Sequence, residues 1–267
     1  MADITMKRSQ TLTVSIYAMT CGWLSMPMPF LIDGTEGVCR IPVPAYFIRH
    51  PRGTVLFDSG MSLRVQKDGA KALGEELEPF FEIFYEPNEE VSTRLESLEV
   101  DPADINYLVS SHLHFDHCGG HELIPNACHI IQQREWEAAH VPELRAANHY
   151  NPADFDHGHG RIEARGEHDI FGDGTVVCMP TYGHTPGHQS LVLQTETGPV
   201  VLCGDACYLR QSLEEMRLPA PIAVNDELAM RDSLTRLKAL QSSGARLMFG
   251  HDPEFWAEVP QAPLPVA

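Results

Sequence analysis

Residues 111–121 read SHLHFDHCGGH and place His112, His114, Asp116 and His117 within six positions. A helix cannot aim His112 and His114 at one point, because helical residues that face one another are three or four apart. A strand end that runs into a sharp loop can: His112 and His114 project to one side, and Asp116 and His117 turn back toward them. Imidazoles and a carboxylate without cysteine suit a borderline cation, Zn²⁺ first, with Mn²⁺, Fe²⁺ and Co²⁺ as competitors. So dense a cluster suits two ions more readily than one. The chain must therefore build a sheet whose strand ends converge.

Further His and Asp residues stand at the places such a sheet would offer. TYGHTPGHQS at 181–190 precedes the strand-like run SLVLQT, GDACY at 204–208 follows VVL, and FGHD at 249–252 follows ARLM. In α/β folds function collects beyond strand ends. TVLFDSG at 54–60 and PVVLCGDA at 199–206 also echo one another, each ending in an Asp beside Gly.

Between these points the pattern predicts strands over 11–19, 43–50 and 54–60, the last two joined by Pro51-Arg52-Gly53, and a Pro-, Gly- and Met-rich surface loop over 20–42. Phe80, Phe81, Phe84 and Tyr85 fall at roughly helical spacing and read as a core-facing stripe or a lid. DPAD at 101–104 reads as a cap before a short strand ending at His112, CGGHELIP as the start of a helix, CHIIQQ as a strand, and 134–155 as helix and loop. Strands at 175–179, 190–195 and 199–204, a helix at 226–241 and a strand at ARLM complete the chain. Frequent hairpins fit two half-sheets better than one doubly wound parallel sheet.

Nineteen basic against 37 acidic residues give a formal net charge of −18, which argues against a nucleic-acid or anionic-membrane partner and leaves a small neutral substrate unrepelled. No run is apolar enough to span a bilayer, and MADITMKRSQ lacks a signal-peptide core, so a cytoplasmic protein is expected. The seven cysteines include no CxxC pair and read as reduced thiols rather than a disulfide framework.

HLHFDH, GHTPGH, the Gly-Asp-Ala after a strand and the late Gly-His together resemble the metallo-β-lactamase superfamily. SSHLHFDHCGG, GHTPGHQS and the pair Asp205 and Tyr208 are similar to its N-acyl-homoserine lactonases. The resemblance implies a single domain over 1–267, folded as a four-layer αββα sandwich with two mixed sheets packed face to face. It further implies that His112, His114 and His188 hold one metal, that Asp116, His117 and His251 hold the other, and that Asp205 bridges them. Asp58 would orient a ligand imidazole from behind, and His184, the first His of GHTPGH, would be a buried hydrogen-bonding strut. His121, His129, His140, His149, His157, His159 and His168 match no metal motif. Asp252 reads as a turn or capping residue or a second carboxylate near the metals, and Cys207 as a core thiol.

What the resemblance implies chemically is opening of the lactone ring of an N-acyl-homoserine lactone by a metal-bridging hydroxide, with two divalent ions about 3.5–4 Å apart. Asp116 and Asp205 would handle the proton, and Tyr208 would aim its hydroxyl at the substrate carbonyl. No G-x-S-x-G elbow offers a serine instead. Trp23, Met26, Met28 and Phe30, with the aromatic patch at 80–85, are candidates for an acyl groove or for core packing. Hydrolysis of another small lactone or ester is the alternative. A glyoxalase II-like thioesterase lacks a basic patch for glutathione, a diiron flavoprotein would need a carboxylate within HxHxD, and the charge opposes a nuclease. The expected partner is a small-molecule lactone, with a homodimer left open.

Overall fold

A computed structural model describes residues 14–267; residues 11–13 of the first expected strand lie outside the described residues. Twelve strands are described: β1 (Ser15–Pro27), β2 (Val38–His50), β3 (Gly53–Phe57), β4 (Glu82–Phe84), β5 (Tyr107–Val109), β6 (Cys128–Gln132), β7 (Arg161–Ala164), β8 (His168–Asp169), β9 (Val176–Pro180), β10 (Gln189–Thr195), β11 (Gly198–Leu202) and β12 (Arg246–Met248). They form a seven-stranded sheet in the order β4-β1-β2-β3-β5-β6-β7 and a five-stranded sheet in the order β12-β11-β10-β9-β8. Both are mixed: β1, β2 and β3 pair antiparallel, while β3, β5, β6 and β7 run parallel. In the second sheet only β11 and β12 pair parallel.

One hydrophobic cluster unites the two sheets. Phe47, Ile48, Leu56 and Leu108 of the first sheet share it with Leu191, Val201 and Leu202 of the second, all buried. With helices flanking the sheets, this is the α/β sandwich implied by the motifs. A long unbroken buried run in β2, Ile41–Ile48, is what a strand enclosed on both faces needs. The helix Glu227–Ser242 starts where Asp226 accepts from the backbone N–H of Ala229 at 3.0 Å, an ordinary side-chain N-cap. No helix of the described residues is long and apolar enough to cross a membrane.

Two sequence expectations need correction. The surface loop over 20–42 is mostly strand: β1 continues to Pro27 and β2 begins at Val38. A register shift between Thr20 and Trp23 absorbs Cys21 and Gly22 as a bulge, so the glycine that reads as a loop signal bends a continuing strand. The aromatic patch is not helical either. A 3-10 turn, Glu78–Phe80, leads into β4, which pairs with β1 at Trp23 to Ser25. Extended backbone sends neighbouring side chains to opposite faces, which divides the patch. Phe80 and Phe81 line a cavity, Tyr85 is buried with its hydroxyl donating to the Met61 carbonyl at 3.0 Å, and Phe84 lies under the Arg40 guanidinium.

The topology gathers loops at one rim. The ends of the parallel neighbours β3 and β5 carry Asp58 and residues 110–117. The ends of the parallel neighbours β11 and β12 carry Asp205 and His251, and the β9–β10 connection carries His184.

Candidate metal centre

Five imidazoles meet at this rim, and each has one nitrogen committed away from it. His112 Nδ1 is 2.9 Å from Ser111 Oγ, whose own proton goes to Asp58 Oδ2, also 2.9 Å away. His117 Nδ1 donates to Asp58 Oδ2 at 2.9 Å, His251 Nδ1 to the Pro42 carbonyl at 2.8 Å, His114 Nε2 to the Asn148 carbonyl at 3.0 Å and His184 Nδ1 to the Ala223 carbonyl at 3.0 Å. Carbonyls and carboxylates only accept, so these contacts fix the proton on the outward nitrogen of each neutral ring and leave a lone pair on the inward one.

The inward nitrogens crowd together. His112 Nε2, His114 Nδ1 and His184 Nε2 are separated by 2.9, 3.2 and 3.0 Å, and His117 Nε2 and His251 Nε2 by 3.2 Å. Asp205 spans the two groups. Its Oδ1 is 3.2 Å from both His117 Nε2 and His251 Nε2, and its Oδ2 is 3.5 Å from His184 Nε2 and 3.8 Å from His112 Nε2. Oδ1 is buried and no hydrogen bond is directed at it. Asp116 Oδ2 adds a second carboxylate 3.6 and 3.7 Å from His117 and His251. Lone pairs facing lone pairs at these separations, around an orphaned carboxylate oxygen, require positive charge between them, and divalent cations fit such a donor set. Ligand-capable atoms within 4.8 Å of one another form the groups His112/His114/His184, His112/His117/Asp205 and Asp116/His117/His251.

Where His188 was expected beside His112 and His114, the structure places the His184 nitrogen instead. His188 Nε2 accepts the backbone N–H of Asp205 at 2.9 Å, and its Nδ1 contacts Thr181 Oγ1 at 2.9 Å. Both its nitrogens are used, and it belongs to none of the three groups. His184 takes the expected place because Gly183, at φ +127, lies so close to the helix Glu227–Ser242 that a Cβ there would meet Met230 N at 2.2 Å. That approach turns the His184 ring inward, whereas His188 points back toward the strand ends as the strut.

Electrostatics follow the geometry. Burial, then the neighbouring imidazoles His117 and His114, hold His112 well below the usual pKa of histidine; burial and His184 do the same for His114. Burial opposes charge on His117 too, but the carboxylates of Asp205, Asp116 and Asp58 outweigh it and raise its pKa well above the usual value. Burial would raise the Asp205 carboxyl, yet His117 and His251 hold it well below the ordinary range.

Asp58 sits at the end of β3 in the left-handed region, φ 57, a conformation Asp tolerates better than most residues. There it accepts from Ser111 N at 2.7 Å as well as from Ser111 Oγ and His117, so it braces both imidazole groups. Asp252 caps the helix Pro253–Trp256 through Phe255 N at 2.9 Å and accepts from Arg210 N at 2.7 Å. Cys207 is a buried thiol directed at the Leu209 carbonyl. His121 and His129 are buried on either side of Ser110 Oγ, at 3.0 and 2.9 Å.

Above the imidazoles lies a cavity of about 160 Å³. Asp116, Asp205, His184, His251 and Tyr208 form its floor; Met26, Phe30, Phe81, Phe115 and Ile222 are among its walls. Of the candidate groove residues, Met26 and Phe30 line it, while Trp23 packs against Arg40 and Met28 against the core. The Tyr208 hydroxyl is 3.0 Å from His184 Nδ1 and its ring stacks on His251 at 5.8 Å. Burial, then Asp205, pushes its pKa well above that of a free phenol, so it is neutral. Because His184 Nδ1 carries the proton donated to Ala223, the phenol cannot donate to it, and its O–H is directed at the Asp205 carboxylate on the cavity floor.

Two residues at the site carry no motif. His149 lines the mouth beside Glu76, 3.6 Å away, and Glu135 is buried beneath the imidazoles. The only sequence signal for Glu135 is a charged residue early in a helix that follows a buried strand.

A family model described as the metallo-beta-lactamase superfamily matches residues 40–251. The chain is 36% identical over 238 residues to the N-acyl homoserine lactonase AttM of Azorhizobium caulinodans, covering 86% of this chain and 89% of that one. It is 30% identical over 217 residues to the N-acyl homoserine lactonase AiiA of Bacillus thuringiensis subsp. kurstaki, covering 80% and 83%. A solved N-acyl homoserine lactone hydrolase with the product N-hexanoyl-L-homoserine at its catalytic metal centre has a TM-score of 0.85 at 27% identity, over 96% of this chain and 100% of that one.

Proposed function

Because the chain belongs to the metallo-β-lactamase superfamily and, within it, to the N-acyl homoserine lactonases, we propose that it hydrolyses the ester of N-acyl homoserine lactones to the open-chain hydroxy acid. The observation that carries this reading is the convergence of five inward lone pairs and an orphaned carboxylate under an apolar cavity. The donor set suits two divalent ions, zinc first: His112, His114 and His184 for one, Asp116, His117 and His251 for the other, and Asp205 shared between them. When bound, such ions polarise a carbonyl and make water acidic near neutral pH.

The chain's own residues supply the remainder. Asp116 stands at the cavity floor, where its carboxylate accepts a proton from the attacking water and returns it to the alkoxide that leaves when the acyl C–O bond breaks. Tyr208 donates its hydroxyl to the carbonyl oxygen as negative charge develops there. Asp58 fixes the tautomers of His112 and His117, so both keep an inward lone pair. Phe30, Phe81, Phe115 and Met26 exclude water and offer an apolar surface to the acyl chain; the flexible Met suits chains of differing length.

The test is a product assay of metal-loaded protein on a panel of acyl-homoserine lactones, simple lactones, thioesters and phosphodiesters. Ring-opened acyl-homoserine as the fastest-formed product is the expected result. A thioester or phosphodiester turned over at equal or greater efficiency would contradict it.

A further inference from the structure

We infer that Glu135 is a positioning residue for one imidazole group of the centre, His112/His114/His184, and not for the other. The inference rests on the two-ion reading above. Glu135 lies in the first turn of the helix Gln133–His140, is fully buried, and does not line the cavity above the imidazoles. Both its oxygens accept twice. Oε1 takes the backbone N–H of Leu113 at 3.0 Å and the Tyr150 hydroxyl at 2.6 Å; Oε2 takes the Thr185 hydroxyl at 2.9 Å and the backbone N–H of Gly187 at 2.8 Å.

These four donors lie on the segments that supply the group. Leu113 sits between His112 and His114. Thr185 and Gly187 follow His184 in the β9–β10 connection. Tyr150 packs 5.7 Å from the His114 ring, two residues beyond Asn148, whose carbonyl fixes that ring. The clamp is tight: a Cβ on Gly187 would meet Glu135 N at 2.2 Å. His117 and His251 are oriented instead by Asp58 and the Pro42 carbonyl, neither of which touches Glu135.

A carboxylate is the side chain that accepts on both sides at once. In Glu135→Gln the amide NH₂ must face either Leu113 N–H or Gly187 N–H, and a backbone donor cannot turn round. One of the two segments then moves away, the spacing of His112, His114 and His184 widens, and the other group keeps its bracing. Outer partners of metal ligands are typically worth 10- to 100-fold in affinity.

The experiment measures release of zinc to a chromogenic chelator from wild-type and Glu135→Gln holoprotein, with total metal content and melting temperature. Wild type holding fewer than two equivalents would overturn the two-ion reading, and the inference with it, whatever the variant does. With two equivalents in wild type, the expected result is a variant that releases one ion about 10- to 100-fold faster and the other at the wild-type rate. In the His184→Ala background, Glu135→Gln should then accelerate release no further, because both act on one group. Two ions released at wild-type rates, or both released equally faster, would overturn the inference. If Glu135→Gln does not fold, Thr185→Val and Tyr150→Phe each remove one donor while keeping shape; faster release of one ion in both supports the clamp, and unchanged release in both overturns it.

Discussion

The backbone N–H of Asp205 donates to Nε2 of His188 at 2.9 Å, so the histidine that closes the GHTPGH motif supports the Asp205 segment from behind instead of facing the cavity. His184→Ala is therefore expected to lose one of two metal equivalents while keeping its fold. His188→Ala leaves the buried N–H unpaired, at a cost of roughly 1–3 kcal/mol, and is expected to lower the melting temperature while still taking up two ions at saturating metal. Metal analysis beside thermal melts of the two variants checks this; the opposite pattern would restore His188 to the cavity.

Asp205→Asn keeps the shape of the side chain proposed to bridge but removes the charge that His117 and His251 face at 3.2 Å. Turnover should fall far more than stability. Full metal content with near-normal hydrolysis would show that Asp205 does not bridge.

Tyr208→Phe removes one hydroxyl from the cavity floor. The catalytic constant should drop about 10- to 100-fold, less than the loss of a lone oxyanion donor because a metal shares the charge. Metal content and melting temperature should hardly change. An unchanged catalytic constant and Michaelis constant would take the phenol out of the reaction.

Metal removal should change the pH dependence of stability. Without a cation, His117 and His251 are both held above the usual histidine pKa by Asp205 and its neighbours despite burial. A raised folded-state pKa contributes stability below the unfolded value, about 6.5, and that contribution is lost as pH rises through the folded pKa. Chelated protein should thus melt at progressively lower temperature as pH rises above about 6.5. Metal-loaded protein, in which His117 and His251 are proposed to be neutral ligands, should not show this trend. Parallel pH-dependent melts that coincide would contradict the assignment of His117 and His251 as ligands.

The parts of this site that were legible in the sequence are those set by local spacing. His112, His114, Asp116 and His117 converge where a strand end runs into one short helical turn, Asp58 follows directly on β3, and Asp205 and His251 each lie three residues beyond a strand end. The choice between His184 and His188 was not legible. Both flank one loop, and the outcome depends on partners distant in sequence: Met230 against Gly183 and Asp205 N–H on His188. Glu135 was hidden for the same reason, since its donors come from residues 113, 150, 185 and 187. The division of the aromatic patch between cavity and core was hidden as well, because i, i+1 and i+4 spacing does not distinguish a helix from a turn entering an edge strand.

The most direct measurement of the central claim is a titration of chelated protein with zinc, following ring opening of an N-acyl homoserine lactone by proton release and product mass. The expected result is negligible turnover without metal, full turnover once two equivalents are bound, and a product heavier than the substrate by one water. Undiminished turnover in the chelated protein, or no ring opening with both equivalents bound, would contradict the account.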